Sequence, residues 1–263
     1  MGKYTKIAWC DHTFNPVVGC EKISPGCDNC YAEAWAKRAG TPELWNGSRR
    51  KTKTWGEPVK WDKEAKAKGI RYKVFCASLA DVFDNKWEPE WRTDLWKLIK
   101  ETPALDWIIV TKRIGNVKKM LPSDWGDEGY HNVTLLITVV DQLEFDRDFM
   151  KLAAIPAFAR GLSVEPQLGP INLSLMGTMP KDITGSAYRL GYQYLDWVIS
   201  GAESGAGARD FDDNWARNLR DQCQEFDVPF FFKQHIRDGK KIETPELDGK
   251  RWIQFPYIME QGE

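Results

Sequence analysis

Val133-Thr-Leu-Leu-Ile-Thr-Val-Val140 decides the fold: eight residues, six of them aliphatic and none charged, run directly into Asp141-Gln142. A strand with one wet face alternates apolar and polar residues. This stretch does not, so its pattern predicts a strand covered on both faces, as in a parallel sheet. The same grammar recurs outward along the chain. Tyr72–Ser78 (YKVFCAS) ends in Ser78-Leu79-Ala80-Asp81, and Trp107–Val110 (WIIV) ends in Thr111-Lys112-Arg113. Further on, Phe158–Val164 (FARGLSV) ends in Glu165-Pro166, Asp196–Gly201 (DWVISG) in Ala202-Glu203-Ser204-Gly205, and Val228–Phe232 (VPFFF) in Lys233-Gln234-His235.

Helical patterns over about 88–101, 114–121, 143–153 and 212–226 separate these runs, and Thr13–Gly19 supplies a short first strand. Six or seven strand–helix units in 263 residues fit a single domain with a full or partial (β/α) barrel. An open doubly wound sheet is the competing fold, weakened because no G-x-G-x-x-G follows a strand. Residues 40–70 form an insertion without a clear strand, and 166–194 a second excursion interrupted by Gly and Pro. The tail, 236–263, is expected to be poor in strands and to pack on the outside.

A net charge of −1 gives no global field for a nucleic acid or an anionic membrane. No apolar run approaches the roughly 20 residues of a membrane span, and Met1–Ile7 lacks a signal-peptide core. The cytoplasm is therefore expected, where thiols stay reduced. Locally the charge is uneven: Arg49 to Lys73 holds ten Lys or Arg against three acids. The cluster Arg49, Arg50, Lys51, Lys53 among Trp45, Trp55 and Trp61 has the makings of a nucleic-acid surface, although lysine-rich segments are commonly just solvated.

Three of the six cysteines, Cys20, Cys27 and Cys30, form a C-x6-C-x2-C cluster, while Cys10, Cys76 and Cys223 stand alone in apolar surroundings and read as core. Pro25-Gly26 marks a turn inside the cluster, and Asp28 or Asn29 is placed to cap a helix over 31–39. In a reducing compartment such a cluster suits a metal better than a disulfide frame. Structural zinc asks for four protein ligands, and His12 is the nearest candidate fourth. Three thiolates alone leave a coordination position open, as an iron–sulfur cluster that activates another molecule requires. Spacing leaves iron–sulfur, zinc and no metal all standing.

A barrel gathers the C-terminal ends of its strands at one mouth. There Ser78, Asp81, Thr111, Lys112, Arg113, Thr138, Ser163, Glu165, Glu203, Ser204, Lys233 and Gln234 would meet. Charges abutting such apolar strands are costly unless paired or used, so a site is the better reading than wet loops. Gly201–Ala208 reads either as a backbone cradle for an anion or as a plain turn.

Asn15-Pro-Val-Val-Gly-Cys20, Ser24-Pro-Gly-Cys27-Asp-Asn-Cys30-Tyr-Ala, Ser163-Val-Glu-Pro, Gly201-Ala-Glu-Ser-Gly and Phe231-Phe-Lys-Gln together resemble the phage-associated three-Cys-motif family, placed with the radical S-adenosylmethionine (SAM) proteins. The resemblance runs from about Trp9 to His235. It implies a partial (β/α)6 barrel of the radical SAM kind, with an additional C-terminal strand and insertions. It also implies a [4Fe–4S] cluster on Cys20, Cys27 and Cys30 with one iron free for SAM, and an external electron donor. By position, Ser78 and Asp81 would meet the SAM amino group, Lys112 or Arg113 its carboxylate, and Thr138 and Ser163 its ribose. Glu165, Glu203 and Lys233, with Lys112, would remain for substrate. The first gap of the motif is three residues longer than the usual C-x3-C-x2-C. The implied activity is radical modification of a nucleobase, favouring an isomerase, with DNA or a modified nucleotide as partner in the cytoplasm of a host bacterium. A peptide or metabolite substrate, and a non-catalytic zinc-stabilised nucleic-acid-binding protein, are the competing functions.

Overall fold

The computed structural model describes residues 5–173, 194–205, 207–237 and 240–256. Its centre is an eight-stranded sheet curled into a partial barrel. The strands are β1 (His12–Phe14), β4 (Tyr72–Cys76), β5 (Leu105–Thr111), β6 (Val133–Thr138), β7 (Ala159–Val164), β8 (Trp197–Gly201), β9 (Phe230–Arg237) and β10 (Lys240–Glu243), in that spatial order. All but the last pair in parallel, and β10 pairs antiparallel with β9. Helices α3 (Pro89–Glu101), α4 (Ile114–Met120), α5 (Gln142–Ala153) and α6 (Asp213–Glu225) supply crossovers, and α1 (Tyr31–Arg38) and α2 (Glu57–Lys68) precede them.

The unbroken apolar runs are explained by two cores, one on each face of the sheet. Odd residues of β5 and β6 (Trp107, Ile109, Leu135, Ile137) point out and pack with Leu95, Ile99, Phe145 and Phe149 of α3 and α5. Their neighbours point in: Phe75, Ile108, Leu136, Trp197, Ile199 and Phe231 form a second cluster around Trp9. Trp9 lies 4.7 Å from the Phe75 ring and 6.2 Å from Trp197, so the segment before β1 plugs the barrel floor. Burying side chains of this size contributes about 1.5–3 kcal/mol each.

Three expectations are corrected. The first strand is broken at Asn15-Pro16: β1 joins the main sheet, whereas β2 (Val17–Val18) pairs antiparallel with β3 (Arg50–Lys51). The insertion holds α2, a full helix with Pro58 in its first turn and Gly69 in the left-handed cap position, φ 66°. Both are standard boundary signals hidden by the run of lysines between them. The tail is not strand-poor: β10 extends the sheet, and β11 (Glu246–Leu247) pairs with β12 (Lys250–Arg251). Of the second excursion, 174–193 lie outside the described residues, as do 257–263 of the tail.

Candidate active site

A cavity of about 310 Å³ opens at the C-terminal ends of the strands, and the twelve residues that the resemblance points to for cluster, SAM and substrate all line it, whereas His12 does not. Alternation explains why. Continuing the inward rows upward from the apolar floor leads from Ile108 through Val110 to Lys112, from Leu136 to Thr138, from Gly161 through Ser163 to Glu165, and from Ile199 through Gly201 to Glu203. Across β6 and β7, Thr138 is the register partner of Ser163. The pairing of β8 with β9 shifts at Gly201, which pairs with Gln234. This bulge lets Lys233 and Gln234 both face the cavity.

The cysteine loop is bolted over this mouth. Gly19 adopts φ +113°, and a Cβ there would sit 2.6 Å from the Ser48 carbonyl, so only glycine lets the chain enter Cys20 here. The Cys20 backbone then exchanges hydrogen bonds with Leu44 and Asn46 of the insertion, at 3.0 and 2.8 Å. A short 3-10 turn, Pro25–Cys27, is capped by Ser24, and α1 starts after Cys30. Neither Asp28 nor Asn29 caps α1. Asn29 instead donates to Glu203, and Asp28 pairs with Lys22 and Arg209. Burial pushes the Cys20 thiol up to about 11, Asp81 adding to the shift and Arg113 opposing it. Burial also raises Cys30, while nearby Lys112 pulls the other way.

Beneath Cys20 lies a buried charge cluster. Asp81 accepts from the Thr111 hydroxyl (2.8 Å), the amides of Phe83 (3.0 Å) and Lys112 (3.1 Å), and Arg113 Nη1 (3.2 Å). Its acceptor capacity is thus taken up within the protein. Arg113 Nη1 also donates to Cys20 Sγ at 3.8 Å. Asp84 holds Arg49 through Nε at 2.7 Å and Nη2 at 2.6 Å, with both side chains about 1% exposed.

On the far side of the cavity Lys233 Nζ lies 2.9 Å from Glu165 Oε1. A Cβ on Gly201 would come within 2.9 Å of that same oxygen, so this glycine's open face is taken by Glu165 rather than by an anion cradle. Ser78 is oriented by Asn15, whose side-chain nitrogen donates to its hydroxyl at 3.0 Å.

Glu203 is a clamp. It is 5% exposed and accepts from Asn29 (2.8 Å) and from the amide and side chain of Arg209 (3.0 Å each). Arg209 also donates to the Pro25 carbonyl and to Asp28, tying the end of β8 to the cysteine loop. Burial alone would raise the Glu203 carboxyl, but the hydrogen bonds from Arg209 and Asn29 outweigh it and hold it below its ordinary value. Such a group contributes stability that is complete above its unfolded value, about 4.3, and lost as pH falls through the folded one. Amide-exchange protection of residues 24–30 is therefore expected to drop below about pH 4, and to be low already at neutral pH in Arg209→Gln. Equal protection in both proteins would remove the clamp. Arg209 carries no sequence signal of its own, its partners being 6 to 184 residues away; Asn15 opens the Asn15–Cys20 motif, but nothing there announces its bond to Ser78, 63 residues on.

The histidines do not take part. His12 is buried and stacked on Trp61 at 4.3 Å, His131 lies against Phe158, and His235 borders a separate cavity. The insertion turns its aromatic rings and Arg49 inward, while Arg50, Lys53, Lys60, Lys63, Lys66 and Lys68 stay exposed. Arg49 and Trp61 are buried, Trp55 packs on the core, and Lys51 pairs with Asp94. Cys10, Cys76 and Cys223 are buried free thiols, as expected of core residues. No described helix is long and apolar enough to cross a membrane.

Among solved structures, a mutant spore photoproduct lyase with bound AdoMet and dinucleoside spore photoproduct is similar to 88% of this chain, at 12% identity and a TM-score of 0.46. The chain spans 66% of that protein's length. A search of curated proteins found no match. The model of the family described as "Protein of unknown function (DUF5131)" matches residues 4–256. This chain, with its partial barrel and cysteine-capped mouth, belongs to the DUF5131 family.

Proposed function

We propose that the cavity holds an iron–sulfur cluster on Cys20, Cys27 and Cys30 together with SAM, and that the protein is a radical SAM enzyme. The observation that carries this reading is the donor set: three thiols line one cavity with the strand-end polar groups, and no histidine lines it. Thiolates are soft donors suited to iron–sulfur clusters or zinc. A single zinc ion needs all of its sulfurs about 2.3 Å from one centre. A cluster distributes its thiolates over several irons and has no such requirement.

Cys20, Cys27 and Cys30 would hold the cluster, which when bound and fed by an external electron donor would supply the reductive cleavage of SAM that starts the radical chemistry. The chain's own residues would orient and shield. Ser78, fixed by Asn15, would take the SAM amino group, Lys112 or Arg113 its carboxylate, and Thr138 and Ser163 its ribose, while Asp81, its acceptors filled, would hold Thr111, Lys112 and Arg113 in place. Glu203 with Arg209 keeps the loop closed over the mouth. The Glu165–Lys233 pair offers an acceptor and a donor side by side, which suits the edge of a nucleobase. We assign the substrate to that class, as a modified nucleotide or a base in DNA, with an isomerase-type rearrangement. The core roles of Trp55 and Trp61 take away the exposed rings on which bases along an extended strand would stack, and favour entry of a single nucleotide or flipped base into the cavity.

The test is anaerobic reconstitution with iron, sulfide, SAM and reductant, then modified nucleosides, phage-type DNA, peptides and metabolites in parallel. Substrate-dependent 5′-deoxyadenosine together with a new nucleoside is expected. Glu165→Gln and Lys233→Met are expected to keep the cluster and lower that turnover at least about 100-fold, the scale of a lost proton-handling group. Turnover on peptides alone would sink the nucleobase assignment.

A further inference from the structure

Among the described cations of the cavity, Arg113 is distinguished by contact with a cysteine sulfur: its Nη1 is 3.8 Å from Cys20 Sγ. Everything around it fixes the guanidinium there. The side chain is only 8% exposed. Asp81 grips the same nitrogen at 3.2 Å, and Asp81 is itself immobilised by the Thr111 hydroxyl and two backbone amides. Nη2 lies 3.7 Å from Asp84 and 3.9 Å from Glu21, too far for hydrogen bonds, and has no such partner among the described residues. Asp84 is already held by Arg49, so it cannot draw Arg113 away from the sulfur. The turn carrying both aspartates is braced in turn by Arg92, which donates to the carbonyls of Val82 and Asp84 at 2.9 and 3.0 Å.

Resting on the cluster site proposed above, we infer that Arg113 is a positioning residue that sets the reduction potential of a cluster bound through Cys20, by donating a charge-assisted hydrogen bond to that sulfur. A guanidinium does not deprotonate in a protein, so it is a permanent cation beside the ligand. Hydrogen bonds to the sulfurs and local net charge are two levers on an iron–sulfur potential. Both act in one direction here: a cluster that gains an electron becomes more negative, and the fixed cation and donor stabilise the reduced form. Lysine would keep the charge but lose the rigid planar group that aims the two Nη1 hydrogens, one at Asp81 and one at the sulfur.

The experiment is a dithionite-poised EPR titration of reconstituted full-length protein without SAM or substrate. The midpoint is expected to move to more negative potential in Arg113→Gln and by a smaller amount in Arg113→Lys. Lys100→Gln, a surface change beside Asp124, should leave it in place. A second measurement needs no variant: wild-type protein labelled with 15N in its arginine guanidinium groups should show 15N hyperfine coupling to the reduced cluster, absent with unlabelled arginine. If Arg113→Gln does not hold iron, the lysine variant and the labelled wild type decide. An unchanged midpoint or missing 15N coupling, in protein carrying its full complement of iron and sulfide, overturns the inference. Wild type that assembles no cluster overturns the reading beneath it instead, so the two failures are distinguishable.

Discussion

Asp84→Ala should destabilise the protein by about 3–5 kcal/mol, the usual cost of removing one partner from a buried ion pair. Arg49 would then be left with its charge 1% exposed and only the carbonyls of Gly47 and Ser48 as hydrogen-bond partners. Glu21, at 3.7 Å and itself bonded to Lys86, is a poor substitute. Arg113 would also lose the carboxylate 3.7 Å from its Nη2. Urea unfolding followed by circular dichroism measures the loss. The double variant Asp84→Ala/Arg49→Met should recover most of it, because the penalty lies in the orphaned charge. A single-variant loss below about 1 kcal/mol would show a pair no better than a surface one.

Gly161→Ala should be comparably damaging although it adds one methyl group. Its Cβ would stand 2.0 Å from the Trp197 carbonyl oxygen and 3.0 Å from Leu136 Cδ2. The first contact is backbone on backbone, between register partners of β7 and β8, so no side chain can swing aside. The strands must part, and the cost should exceed the roughly 1–3 kcal/mol of ordinary overpacking. Because Gly161 lies two residues below Ser163 on the inward row, a variant that folds should also hold the SAM proposed for the cavity less tightly. Wild-type stability in Gly161→Ala would mean that β7 and β8 are looser than their pairing indicates.

The barrel was legible because its strands are buried on both faces, a pattern that survives without knowledge of partners. Val133–Val140 and Trp107–Val110 read as strands because their short, branched apolar runs end in polar residues. Strand ends were less so: Val139 and Val140 are as apolar as the strand but leave it, and Val140 packs where a Cβ on Gly26 would lie. The convergence of Ser78, Lys112, Glu165 and Lys233 followed from topology alone, since every parallel strand delivers its end to the same mouth. Pairing did not follow. Nothing local distinguishes Arg49, buried against Asp84, from exposed Arg50, and nothing in Gly201–Arg209 announces that Glu203 and Arg209 grip the cysteine loop. Such contacts are decided by which surfaces meet after folding. The tryptophans of the insertion show the same limit: aromatic rings near lysines suit both a nucleic-acid surface and a core, and Trp55 and Trp61 pack on the core while Trp45 lines the cavity.

Counting iron and acid-labile sulfide per chain after anaerobic reconstitution tests the central claim most directly. Wild type should bind both, and Cys20→Ala, Cys27→Ala and Cys30→Ala should each lose them. Cys10→Ala, with its thiol pushed by burial to about 12, should retain them, as should Cys223→Ala. Stoichiometric zinc without sulfide in wild type, or iron and sulfide retained after loss of Cys27, would contradict the account.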